Sequence, residues 1–451
     1  MDSGSPGSER WRFTADDAVS SSPTIINETV YVGDDAGHLH ALQASTGQRE
    51  WLFDVTDLDG EYSGRFVYSS PAVADGVVYF ELQLGTRGRL VAVDARTGNL
   101  KWTFENGSTN WTSATLSEET VFFGDVELYD GDSRFYAVDR ATGTKRWERV
   151  FEDGFNSSPT VVDDTVYVGC DDGHVYAFET ETGERRWAFG TDDQVRSSPT
   201  VVDGTVYVGS DSGRLYAIDA RTGDRQWRVD QEGGPIRSSP TVADGTVYVG
   251  VGACLEAIDA ETGERDWQFE TGGPVTSSPT VAGSTAYVGS RDDRLYAVDA
   301  ATGTENWSFG TGDQIRSAPT VKDGTAYVGG EDGTVYAVTA DLSDADSRGS
   351  RVLLGTLGHH DGRTTDGREV DERVSEGRER ASPDSPDTNV FDRPDERGQS
   401  GPTSNRETNP TGWSSHAAAD GVNFCPHCGA DLQELPEGRY CSNCGEPLRV
   451  D

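Results

Sequence analysis

The sequence predicts an all-β fold, an eight-bladed β-propeller of four-stranded blades closed by the N-terminal strand, followed by a linker and a small cysteine-bearing module. Three observations carry this reading. Repeat tryptophans fall at positions 11, 51, 102, 147, 187, 227, 267 and 307, and from Trp147 onward they are 40 residues apart. Between them, β-branched and aromatic runs alternate with Asp-Gly and Thr-Gly turns. The first and last repeats are complementary fragments of one unit.

The clearest repeat runs from Ser197 to Trp227. Its first strand is the Ser-Pro-Thr-Val-Val run ending at Val202. Asp203-Gly204 makes a tight hairpin, because both residues tolerate positive φ. The second strand, Thr205 to Gly209, alternates around Val206 and Val208. Asp211 to Gly213 turns into a third strand, Leu215 to Ile218. Asp219 to Gly223 is a further turn ended by a left-handed glycine, and the fourth strand carries Trp227. These segments are too short for helices. A four-strand period of this length is that of a propeller blade.

First-strand starts occur at Pro23, Pro71, Ala114, Pro159, Pro199, Pro240, Pro279 and Pro319, which makes eight units. The last, Ser317 to Val338, has no tryptophan strand after it. Trp11-Arg12-Phe13 precedes the first start and lacks three strands of its own. Setting Trp11–Phe13 beside Tyr336–Val338 removes two free sheet edges and closes a ring spanning 11–340. Insertions at Asp57–Arg65 and Glu127–Asp132 stretch the second and third repeats.

Composition bounds the partners. Apolar residues make up 34% of the chain, glycine numbers 54, and the net charge is -40. Only Lys101, Lys145 and Lys322 among the 38 basic residues are lysine. Such acidity on a folded repeat resembles a halophilic archaeal protein, for which concentrated salt screens the self-repulsion. Duplex nucleic acid is excluded as the expected partner, since phosphate contacts need clustered basic charge. The start, Met1-Asp2-Ser3-Gly4-Ser5-Pro6, has no secretory pattern, and no apolar run is long enough for a membrane span, so a cytoplasmic location without membrane contact is expected. Cys170 and Cys254 are isolated near the ends of second strands, and the six cysteines form no disulfide framework.

The stretch Ala217-Ile218-Asp219-Ala220-Arg221-Thr222-Gly223-Asp224-Arg225-Gln226-Trp227 resembles the tryptophan-docking repeat of the pyrroloquinoline-quinone-type propellers. Thr-Gly and Trp recur in the other units, as in Thr46-Gly47/Trp51 and Thr302-Gly303/Trp307. The resemblance implies that each tryptophan packs between neighbouring blades. That family includes quinone-dependent alcohol and glucose dehydrogenases and the propeller lipoprotein that helps assemble bacterial outer-membrane proteins, so it fixes architecture more than activity. The dehydrogenases commonly use an adjacent cysteine pair, calcium ligands and a catalytic aspartate. No two cysteines are adjacent here, and Asp171-Asp172, Asp211 and Glu331-Asp332 occupy equivalent turns on separate blades. No catalytic or cofactor-binding residue is assigned, and pyrroloquinoline quinone is not expected.

The residue before each first-strand start should line one mouth of the channel. Around the ring these are Ser20, Tyr68, Trp111, Asn156, Arg196, Arg237, Thr276 and Arg316. Arginine offers a planar fork for carboxylate or phosphate, and aromatics supply contact area. Tyr68, Trp111, Arg196, Arg237 and Arg316 are therefore the candidate contacts for an acidic peptide or small anion. The competing reading is local pairing of the arginines with acids such as Asp192, Asp193 or Asp313.

Residues 341–423 are polar, with stretches such as Gly398-Gln399-Ser400-Gly401-Pro402, and read as a flexible acidic linker. Cys425-Pro426-His427-Cys428 and Cys441-Ser442-Asn443-Cys444 follow, within a module spanning 424–448. Two Cys-x-x-Cys hairpins give a tetrahedral thiolate cage and resemble a zinc ribbon, in which Cys425, Cys428, Cys441 and Cys444 would hold a structural zinc with no position left for catalysis. The function expected is a non-enzymatic protein-interaction scaffold, with protein as the partner of ring and ribbon. The alternatives are a pyrroloquinoline-quinone-dependent dehydrogenase and a small-anion or peptide sensor using the arginine-bearing mouth.

Overall fold

The computed structural model describes residues 5–58, 65–109, 112–127, 131–231, 233–340, 352–353 and 356–357. The chain divides into two compact units, Met1–Glu376 and Gly377–Asp451, and every described residue belongs to the first. Cys425, Cys428, Cys441, Cys444 and Trp111 lie outside the described residues.

The first unit is an eight-bladed propeller of antiparallel blades. Blades 1 to 7 span Thr24–Asp54, Ala72–Glu105, Thr115–Phe151, Thr160–Gly190, Thr200–Asp230, Thr241–Glu270 and Thr280–Gly310. Blade 8 takes three strands from Thr320–Thr339 and its outer strand, Glu9–Thr14, from the other end of the ring. Trp11 pairs with Ala337 and Phe13 with Val335, the register expected for closure. The first strands of successive blades touch in one unbroken cycle, so they form the innermost layer. The insertion in the second repeat adds a short strand, Arg65–Phe66, beside Val77–Leu84.

Local chemistry explains the blades. In the first hairpin of blade 5, Asp203 and Gly204 have φ of 48° and 74°, the two left-handed positions that a tight hairpin requires. In the turn before the fourth strand, Thr222 N–H donates to the Asp219 carboxylate at 2.7 Å and Gly223 N–H to Asp219 O at 2.9 Å.

Each blade then docks on the next. Trp187 Nε1 donates to Ala220 O at 2.9 Å, and Tyr167 Oη donates to the same carbonyl at 3.2 Å. Gly223 lies flat on the Trp187 ring, where a Cβ would come within 2.9 Å. At the closing seam Trp11 and Tyr327 converge likewise on Ala44 O, at 2.7 and 3.2 Å. Blade 7 has no following Thr-Gly. Its Trp307 is covered instead by Gly7, whose φ is +78° and whose added Cβ would meet the ring at 3.2 Å. Gly7 is held by its N–H on Thr339 O at 2.8 Å. The N-terminal segment therefore supplies blade 8 with both a strand and a docking glycine.

The inner layer carries two rings of hydrogen bonds. Backbone N–H groups of Ser22, Ser70, Ser113, Ser158, Ser198 and Ser239 each donate to the serine hydroxyl of the next blade, and Ala318 N–H donates to Ser22 Oγ. Seven threonine hydroxyls, from Thr24 to Thr320, reach the proline carbonyl of the next blade in the same way. Each ring has one chemical gap, where Ala318 stands for serine and Ala72 for threonine. Buried first-strand polar groups are thus satisfied between blades, and the ring locks in the same step.

Candidate functional site at the channel mouth

Six of the predicted mouth residues, Ser20, Tyr68, Asn156, Arg196, Arg237 and Arg316, are half-buried, each following a residue wedged against the preceding blade. Val195, for example, is fully buried against Gly169, whose Cβ would fall 2.5 Å from it. Glycine stands at or next to the end of each such second strand because that side chain leaves no room for a Cβ. The mouth residue next in sequence is thereby held between two blades.

The arginines are engaged by acids of the turn after the second strand. Arg196 places Nε and Nη2 at 3.3 and 3.2 Å from the two carboxylate oxygens of Asp171. Arg237 meets Asp211 in the same forked way, at 3.2 and 3.0 Å. Asn156 Nδ2 donates to Asp171 Oδ2 at 2.7 Å, and Arg196 Nε lies 4.0 Å from Asp211 Oδ2. The result is a continuous ladder, Asn156–Asp171–Arg196–Asp211–Arg237, crossing two blade boundaries. Local pairing therefore holds, but the acids beside Arg196 and Arg237 are Asp171 and Asp211, and beside Arg316 Glu331, in place of the expected Asp192, Asp193 and Asp313. Asp192 is on an outer edge, paired with Arg214.

Across the closing seam the rim is more acidic. Arg316 Nε is 3.5 Å from Glu331 Oε1. Ser20 Oγ lies 3.2 Å from both Glu331 Oε1 and Asp35 Oδ2. Burial, with Glu331 beside it, pushes the Asp35 carboxyl up to about 7. Burial also raises the Tyr68 phenol, and the Asp35 and Glu331 charges add to the effect. Tyr68 stacks on Phe66 of the inserted strand, with centroids 5.0 Å apart and planes 8° apart. Asp171 is raised by burial, against the opposing pull of Arg196. The rim can thus offer both charges and an aromatic platform, and an anionic ligand would have to compete with the acids already on the arginines.

The two isolated cysteines are unpaired thiols. Cys170 is fully buried, its thiol 3.4 Å from Gly154 O. Cys254 is half-buried and opens the third strand of its blade, three residues past the end of the second strand near which sequence placed it. Sequence reasoning missed Asp35 as a mouth residue, although it occupies the turn position of Asp171 and Asp211.

Comparison with known proteins places this geometry. The serine/threonine-protein kinase AfsK of Streptomyces griseus is 31% identical over 163 residues, 35% of this chain and 19% of the kinase. Outer membrane protein assembly factor BamB of Yersinia pestis is 28% identical over 153 residues, 32% of this chain and 36% of that protein. Quinohemoprotein alcohol dehydrogenase ADH IIB of Pseudomonas putida is 34% identical over 112 residues, 22% of this chain and 16% of the enzyme. The chain thus spans well under half the length of these curated relatives. The crystal structure of BamB from Moraxella catarrhalis superposes with a TM-score of 0.61 at 21% identity, covering 74% of this chain and 98% of that one. The family model described as outer membrane protein assembly factor BamB matches residues 3–125, 103–200, 131–254, 190–277 and 252–346, the whole of the ring, and the chain belongs to that family.

Proposed function

We propose that the protein is an interaction scaffold whose channel mouth engages a protein partner, with the cysteine-rich module at the C-terminus, if it forms a zinc ribbon, as a second contact. The observation that carries this reading is the rim itself. Arg196, Arg237 and Arg316 alternate with Asp171, Asp211 and Glu331 on rigid blade junctions, with Tyr68 stacked beside them. A fixed pattern of alternating charge with an aromatic platform suits recognition of a polypeptide that presents both charges. Membership of the BamB family supports the same class of role. Within this reading, acidic groups of the partner exchange with the local acids on Arg196 and Arg237. An acidic peptide or small anion is the simplest such ligand.

The test is site-specific photo-crosslinking of the full chain in cells, with the probe at Tyr68 or, as control, at exposed Arg225 on an outer strand. The expected result is a discrete adduct from Tyr68 that is absent from Arg225 and lost when Arg196 and Arg237 are changed to Gln. Adducts equal at both positions would overturn the proposal.

The quinohemoprotein relatives support a second reading, a pyrroloquinoline-quinone-dependent dehydrogenase. Titration of the full chain with pyrroloquinoline quinone and calcium in molar potassium chloride separates the two. Saturable binding with dye reduction by alcohols or sugars would replace the scaffold reading.

A further inference from the structure

Blade 1 departs from its siblings at several linked positions. In blades 4, 7 and 8 the third strand carries a tyrosine, and its hydroxyl donates to an aspartate four residues earlier: Tyr176 to Asp172 at 2.5 Å, Tyr296 to Asp292 at 2.7 Å, and Tyr336 to Asp332. In blade 1 the register places His40 opposite Val32, as Tyr176 stands opposite Val168, and Ala36 replaces the aspartate. Asp34 stands where blades 4, 5 and 8 have Cys170, Ser210 and Gly330. Blade 3 has Asp125 there, accepting from Tyr136, so blade 1 pairs the carboxylate with His40 in place of a tyrosine and adds His38, the counterpart of His174, two residues before it.

These substitutions converge on one point. Asp34 Oδ2 lies 3.0 Å from His38 Nδ1 and 2.9 Å from His40 Nε2. Asp34 and His40 have no exposed side-chain surface, and His38 has 14%. Asp16, exposed in the loop after the closing strand Glu9–Thr14, brings Oδ2 to 3.4 Å from His38 Nδ1. The other His38 nitrogen, Nε2, is 3.9 Å from Asp54 Oδ2.

We infer that Asp34, His38 and His40, with Asp16 as a fourth ligand, form a binding site for a divalent transition-metal cation at the seam where the ring closes. A tetrahedral ion with ligand distances of about 2.0–2.1 Å needs donor atoms about 3.3–3.5 Å apart. The Asp34, His38 and His40 donors all lie within 4.8 Å of one another, and Asp34 Oδ2, now at hydrogen-bond distance from both imidazoles, would move out by a few tenths of an ångström to admit the ion. Two neutral imidazoles and two carboxylates make a neutral site around a dication. Nitrogen and oxygen donors of this kind suit zinc, cobalt or nickel over calcium, which prefers six to eight oxygens. With His38 Nδ1 on the metal, its Nε2 is turned toward Asp54, 3.9 Å away and beyond hydrogen-bond length, so Asp54 acts on it through charge alone. Exposed Asp16 gives the entry path. Because Asp16 follows the strand that completes blade 8, while the other ligands belong to blade 1, the ion ties the two ends of the ring together.

The experiment is a cobalt(II) titration of the full chain in potassium chloride, read by visible absorption and by thermal unfolding. Cobalt on the C-terminal cysteines shows thiolate charge transfer, whereas this site has no sulfur. The expected result is one equivalent with d–d bands and no added thiolate charge transfer, accompanied by a rise in unfolding midpoint. That equivalent should vanish in His38→Ala. It should vanish also in the double variant Ala36→Asp/His40→Tyr, which rebuilds the tyrosine–aspartate contact of the sibling blades. Asp16→Asn should weaken binding by about tenfold or more. Uptake unchanged in His38→Ala, or no cobalt taken up by wild type beyond the thiolate sites, would overturn the inference.

Discussion

Glu81 stands where most blades have the glycine that ends the second strand, as Gly33, Gly169 and Gly209 do. It is 2% exposed, and Asp125 nearby is fully buried. The Thr112 hydroxyl lies 3.2 Å from both Glu81 carboxylate oxygens, while Tyr136 Oη donates to Asp125 at 3.1 Å. Burial pushes Glu81 well above its ordinary 4.5, with Asp125 adding to the rise. Burial likewise lifts Asp125 from 3.8 to about 6, against the pull of its hydrogen bonds. Both folded values exceed the unfolded ones, so between them the native state binds more protons. The contribution of this pair is therefore greatest below pH 4 and declines as pH rises through 6 and beyond. Glu81→Gln keeps an acceptor for Thr112 and removes the ionisation. It should raise stability at pH 8 by on the order of 1–2 kcal/mol and change little at pH 4. Denaturation of both proteins at the two pH values checks this, and equal effects at both would show that ionisation is not the cause. Nothing in the sequence marked Glu81 as buried, because one more acid in so acidic a chain carries no signal until the blade register is known.

At the scale of the element, the strands and turns were legible because each has a local cause. Asp203-Gly204 demanded a tight hairpin, and Trp11–Phe13 lacked partners anywhere but beside Tyr336–Val338. The order of the residues that precede each first strand was legible for the same reason, since the repeat register alone fixes it. The partners of the arginines were not, because Asp171 and Asp211 are separated from Arg196 and Arg237 by a blade boundary, and only the ring brings them together. The hydrogen-bond rings were hidden too, as serine and threonine before and after a proline read simply as strand entry. Yet the gap at Ala318 tests their worth. Ser278 belongs to the serine series, and its next neighbour lacks the hydroxyl that every other link uses. Ala318→Ser should complete the ring and add about 0.5–1 kcal/mol, the net value of one buried hydrogen bond. Urea unfolding in molar potassium chloride measures it. A loss of stability would mean that the tightly packed alanine, only 6% exposed, has no room for the oxygen.

For the whole molecule, the decisive feature is that the two ends of the ring hold each other through more than one kind of contact. The N-terminal strand pairs with Thr334–Thr339, Trp11 docks on Ala44 O of blade 1, and Gly7 covers Trp307 of blade 7. Arg10 adds a hydrogen bond from Nη1 to Thr325 Oγ1 at 2.6 Å. The sequence revealed the strand through its orphan tryptophan, but not Gly7, because Ser5-Pro6-Gly7 does not repeat the Thr-Gly pattern whose place it takes. Deleting residues 1–14 would remove all of these at once. It would leave the third strand of blade 8 as an open edge, Trp307 uncovered, and blade 1 without the tryptophan that docks against it. An exposed antiparallel edge of this length, Thr-Val-Tyr-Ala-Val-Thr, is a template for pairing with another chain. The truncated protein should therefore unfold at markedly lower temperature and elute as oligomers in size-exclusion chromatography. Supplying residues 5–14 as a separate peptide should restore the monomer, because the missing strand then rebuilds the same register. A truncated chain that stays monomeric with an unchanged unfolding midpoint would show that the inner rings alone close the propeller.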